Sequence, residues 1–130
     1  MPAGTYVSLV GHSWGGDTAA RIATAMGREG WQVDNVITMN PVRWGFVAPD
    51  TSLYSDIRTG AANWTSVNAT GGGRWDASNL IAGLGRDYGS GPQDFAYQYI
   101  DAPLAHQDFW QKLDMQAADG ATPRMSIRAP

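Results

Sequence analysis

Gly11-His12-Ser13-Trp14-Gly15-Gly16 separates an apolar run at residues 6–10 from a helix-like run at residues 17–26. A serine at that junction, with a glycine two places to either side, suits a sharp strand-to-helix turn, a nucleophile elbow. Such a turn strains the serine backbone and pushes its Oγ out of the sheet, and only very small neighbours fit where strand and helix pass. In this reading Gly11 and Gly15 are those neighbours. The helix N-terminus behind Ser13 offers partial positive charge where an oxyanion would develop, and Asp17 in the first turn suits the same dipole. With 16 Gly in 130 residues the pattern alone says little; strand, pattern and helix in succession carry the reading.

Working outward, Ala19, Ile22, Ala23 and Met26 recur at helical spacing and Gly27 and Gly30 offer stops, which predicts an amphipathic helix packed on a sheet. Residues 36–39 form the next predicted strand, closed by Asn40-Pro41 because proline cannot continue a central ladder. Residues 42–63 look irregular, with Trp44, Phe46 and Tyr54 among Gly, Pro, Ser and Asp, and read as a loop carrying aromatics over the mouth of a site. A strand is expected at 64–69, a turn at 70–73, a short helix at 79–84 and a strand at 95–100. A final helix should begin near Gln107 with Phe109, Trp110, Leu113 and Ala117 on its buried side. Strands alternating with helices predict one α/β domain over residues 1–130, with a parallel sheet of about four strands covered on both faces.

Composition sets bounds. A hydrophobic content of 43% supports a single modest core, and a net charge of −3 gives no electrostatic footprint for nucleic acid. No apolar run approaches a membrane span, and residues 1–10 lack the pattern of a secretion signal, leaving the cytoplasm as the default compartment. Without cysteine there are no disulfides, thiol nucleophiles or cysteine-ligated metals.

A serine hydroxyl becomes a useful nucleophile when a neutral imidazole takes its proton, and that imidazole must come from a strand-end loop on the same sheet edge. His106 follows the last predicted strand and meets this condition. His12, the other histidine, adjoins Ser13 and should point away from it and pack.

The stretches 11–16, 37–42, 64–69 and 105–110 together resemble the C-terminal half of an α/β-hydrolase, of the serine esterase and lipase kind. The resemblance implies a partial α/β-hydrolase-like sheet, a Ser-acid-His order, a carboxylic ester or thioester substrate, small or lipid, and neither metal nor organic cofactor. In similar lipases the strand at 36–39 ends in an Asp-Pro pair whose Asp is the triad acid; here Asn40 stands there. The acid is therefore either displaced, with Asp76 after the strand at 64–69 as first candidate and Asp87 or Asp101 behind it, or replaced by Asn40 as a weaker orienting group. The backbone N–H of Trp14 is the implied oxyanion donor. The resemblance leaves the family's earlier strands and second oxyanion donor without counterpart before residue 6, which predicts a homodimer through the elbow-strand edge. It also opens a second reading, a catalytically silent half-domain that keeps the scaffold.

Overall fold

A computed structural model describes residues 4–43, 49–71, 86–117 and 119–128. Its main sheet has four parallel strands, β1 (Ser8–His12), β2 (Val33–Met39), β4 (Ala61–Ala69) and β6 (Gln98–Ala102), in the order β1-β2-β4-β6. A two-stranded antiparallel ribbon, β3 (Val42–Arg43) with β5 (Arg86–Asp87), lies beyond the C-terminal end of β2. The helices are α1 (Trp14–Arg28), α2 (Thr51–Gly60), α3 (Phe109–Leu113) and α4 (Pro123–Arg128), with a 3₁₀ turn at Gly91–Asp94.

Both central strands are largely buried on both faces, and they bury polar Asn35, Thr38, Thr65 and Ser66 alongside their apolar residues. Register puts Leu9, Val36 and Trp64 in one row on one face and His12, Met39, Val67 and Ile100 in one row on the other. On the first face Val36 and Trp64 join Ala20 and Ala23 of α1 and Tyr54 and Ile57 of α2. On the second, Ile37, Met39, Val67 and Ile100 meet Leu113 of α3. The two helices of the first face touch closely because Gly60 leaves room: a Cβ there would come within 2.3 Å of the Ala23 carbonyl oxygen.

The structure corrects several expectations. Within 42–63, residues read as loop, α2 forms, its N-cap Asp50 accepting from the Leu53 N–H at 3.0 Å. Tyr54 is accordingly a core residue packed on Trp64, Tyr88 and Phe95, not an aromatic over a site. The strands begin earlier than expected at Val33 and Ala61, and the last one is shifted to Gln98–Ala102. In α1 the buried stripe is Gly16, Ala19, Ala20, Ala23 and Thr24, and Ile22 is 43% exposed. Helix α3 ends at Leu113, and Trp110 is 68% exposed instead of buried. The expected helix at 79–84 and the aromatics Trp44 and Phe46 lie outside the described residues.

Candidate active site

Ser13 sits between β1 and α1 with φ 57° and ψ −123°, a conformation that costs a non-glycine residue on the order of 1–3 kcal/mol. Hydrogen bonds hold it there. Its N–H donates to the Met39 carbonyl at 3.1 Å, and its own carbonyl accepts from the Gly16 and Val42 N–H groups, each at 3.0 Å. The turn is thereby fastened to the C-terminal end of β2. Gly11 is required, since a Cβ on it would lie 2.0 Å from the Gly15 carbonyl oxygen. The second demand for glycine is at Gly16, whose Cβ would meet Pro41 at 2.9 Å, whereas the space around Gly15 is open. The sequence expectation for Gly15 is corrected to that extent: its backbone is the obstacle and its missing side chain is not needed.

His106 arrives from the loop after β6. The loop is turned by the Asp108 N–H donating to the Ala105 carbonyl at 3.1 Å and the Ala105 N–H donating to the Asp108 carboxylate at 2.9 Å. The imidazole is buried, 6% exposed, and its Nε2 lies 2.8 Å from Ser13 Oγ. Ser13 and His106 are brought together.

At the other ring nitrogen, Nδ1, stands the side-chain amide nitrogen of Asn40. Asn40 follows β2 in a left-handed conformation, φ 44°, which asparagine tolerates better than most residues. Its N–H donates to the Val67 carbonyl at 2.6 Å, and its Oδ1 accepts from the Ala69 N–H at 3.3 Å. That second bond fixes the amide's direction. With the oxygen facing Ala69, the NH₂ group donates to Nδ1, so in the neutral ring the proton resides on Nε2 and is offered to Ser13. An imidazole in that tautomer is a donor to the serine; to act as base it needs its proton on Nδ1.

Asp76 lies outside the described residues. Asp101 accepts from Asn68 and from the Tyr99 hydroxyl, and Asp87 from the Gly89 N–H. Trp14 opens α1, placing its backbone N–H directly after Ser13, as an oxyanion donor requires. Among the described residues no group of three or more His, Asp or Glu side chains could hold a metal ion, and no helix is long and apolar enough to cross a membrane.

Two residues behind His106 escaped sequence reasoning. The His12 side chain lies on the opposite sheet face from the α1 core, as expected of a packing residue, but its Nε2 donates to the His106 carbonyl and its ring lies 4.8 Å from the His106 ring. Burial holds the His12 pKa below the ordinary histidine value. Lys112, the chain's single lysine, donates to the carbonyls of Ala105 at 2.7 Å and His106 at 2.6 Å. Its being the only lysine was the one available signal, and it named no partner.

Comparison with known protein families, curated proteins and solved structures finds no match to this chain.

Proposed function

We propose that this chain is a serine hydrolase-type protein, α/β-hydrolase-like in its elbow, strand order and Ser-His sequence, acting on a carboxylic ester or thioester. One observation carries the reading: a strained serine at a strand-to-helix turn with an imidazole nitrogen 2.8 Å from its hydroxyl. In the reaction Ser13 Oγ attacks the acyl carbon while His106 Nε2 takes the hydroxyl proton. The oxyanion is met by the Trp14 N–H and by the positive end of α1. His106 returns the proton to the departing alkoxide or thiolate, and water, activated by the same imidazole, releases the acyl group from Ser13. A groove of about 580 Å³ begins at Trp14, the residue after Ser13, and runs along α1, lined by Asp17, Thr18 and Arg21 as well as by Ile22, Ala25 and Val42.

Asn40 limits the rate. For His106 to accept from Ser13, its proton must move to Nδ1, where it meets an NH₂ group; turning the amide over gives up the bond from Ala69. Loss of the carboxylate at the equivalent place in a serine protease lowers turnover about 10⁴-fold through the same tautomer effect. This supports the second reading, a scaffold that retains the elbow without turnover. Slow hydrolysis separates the two: p-nitrophenyl acetate and butyrate should be cleaved above the buffer rate, and Ser13→Ala and His106→Ala should each return the rate to background. Identical rates in wild type and Ser13→Ala would leave only the scaffold reading.

A homodimer through the elbow-strand edge belongs to the same proposal. β1 ends the described sheet order and Val10 is 37% exposed on it, so pairing two copies there would bury an apolar edge near both Ser13 residues. Sedimentation at micromolar concentration should give twice the chain mass; a monomer would contradict it.

A further inference from the structure

We propose that Lys112 is a positioning residue for His106: its ammonium group clamps the carbonyls of Ala105 and His106 and so sets the imidazole against Ser13. The inference rests on the Ser13–His106 pair having the role just given, but it concerns a residue that the pair itself does not identify.

The geometry is specific. Lys112 is 0% exposed, and a buried ammonium is retained only where strong acceptors replace water. Here the acceptors are two consecutive main-chain carbonyls, at 2.7 and 2.6 Å, one of them belonging to the candidate base. The His106 carbonyl accepts a second time, from His12 Nε2. Helix α3 anchors the lysine through buried Leu113, and β1 anchors His12. The loop is thus tied to α3 and to the same strand that delivers Ser13, which fixes two ends of one hydrogen bond from one scaffold.

The charged neighbourhood agrees with this role. Asp108 in the His106 loop and Asp87 on β5 favour the ammonium form of Lys112, and the charged lysine in turn disfavours protonation of His12. Burial outweighs the two carboxylates and lowers the Lys112 pKa to about 8. For His12 burial is the larger cause of the lowered pKa and the lysine charge a smaller one.

The test compares wild type, Lys112→Met and Lys112→Arg by two readouts: the ring nitrogen resonances of His106 in ¹⁵N-labelled protein, and the rate at which a fluorophosphonate labels Ser13. In Lys112→Met the His106 ring signals should move to those of a solvated imidazole while the amides of β1, β2 and β4 stay in place, and labelling should slow at least tenfold. Lys112→Arg should restore most of both. Unmoved His106 ring signals in a folded Lys112→Met protein would overturn the proposal. If wild type is not labelled while its His106 signals still respond to Lys112→Met, the positioning role stands and the hydrolase reading fails. Should Lys112→Met not fold, wild type decides: the Lys112 Cε and the Ala105 and His106 carbonyl carbons should titrate together near pH 8, and independent titration would overturn the clamp.

Discussion

In the proposed reaction Asn40 is the residue on which the rate turns. Its position already offers what a carboxylate needs, with an N–H from Ala69 on one side and His106 Nδ1 on the other. In Asn40→Asp one carboxylate oxygen keeps the Ala69 bond and the other accepts from Nδ1–H, which turns Nε2 into an acceptor for the Ser13 hydroxyl. Asn40→Asp should therefore speed p-nitrophenyl ester hydrolysis at least about a hundredfold, a large part of the 10⁴ that the reverse change removes elsewhere; an unchanged or slower rate would show that the amide is not the limit. The elbow yields a second, structural contrast. Gly11→Ala must displace backbone at Gly15 and should destabilise by about 3 kcal/mol or more, whereas Gly15→Ala enters open space in a helix and should be neutral or stabilising by up to about 1 kcal/mol. Urea unfolding distinguishes them, and equal losses would refute the packing account. Ser13 and Gly11 were legible in the sequence because a tight turn imposes a spacing, whereas the second required glycine is Gly16 and not Gly15, since it depends on the approach of Pro41. The amide's direction was not legible, because it depends on the Ala69 N–H, which only the β4 register delivers.

Among the elements, β2 and β4 could be read from sequence in their second halves, where Val36, Ile37 and Met39 and Trp64 and Val67 supply the apolar signal, although their first residues, next to Asp34 and Asn35 and to Asn63, could not. Helix α2 was missed for a physical reason. It buries only Tyr54, Ile57 and Gly60, and its closeness to α1 comes from Gly60 against Ala23, a contact with no periodic signature. Asp50 was the readable start signal, and Asp50→Ala should cost about 1 kcal/mol by losing the bond from Leu53; a stability equal to wild type in thermal unfolding would mean the cap contributes nothing. Lys112 left no trace in the pattern, since a lysine in a short helix ordinarily faces water. Its effect on stability has a definite sign. The unfolded chain keeps this proton to near the ordinary lysine value of 10.5 and the folded chain releases it near 8, so between these values the unfolded state binds more protons and stability rises with pH. Relative to Lys112→Met, wild type should gain resistance to urea from about pH 8 to about pH 10.5. Parallel pH dependences of the two proteins would contradict the buried charge.

For the whole molecule, the four parallel strands bring the C-terminal ends of β1, β2 and β6 to one edge, where open α/β sheets place their ligands. Ser13 follows β1, Asn40 follows β2 and the His106 loop follows β6, so three segments distant in sequence converge on one hydroxyl. Covalent capture at Ser13 tests that convergence. An activated serine hydroxyl attacks the phosphorus of a fluorophosphonate and displaces fluoride, so wild type, Asn40→Asp, His106→Ala and Ser13→Ala should be incubated with it and the modified peptide identified by mass spectrometry. Wild type should be labelled slowly at Ser13, Asn40→Asp much faster at the same residue, and His106→Ala and Ser13→Ala not at all. Folded wild type and Asn40→Asp proteins that both stay unlabelled at Ser13 would contradict the convergence.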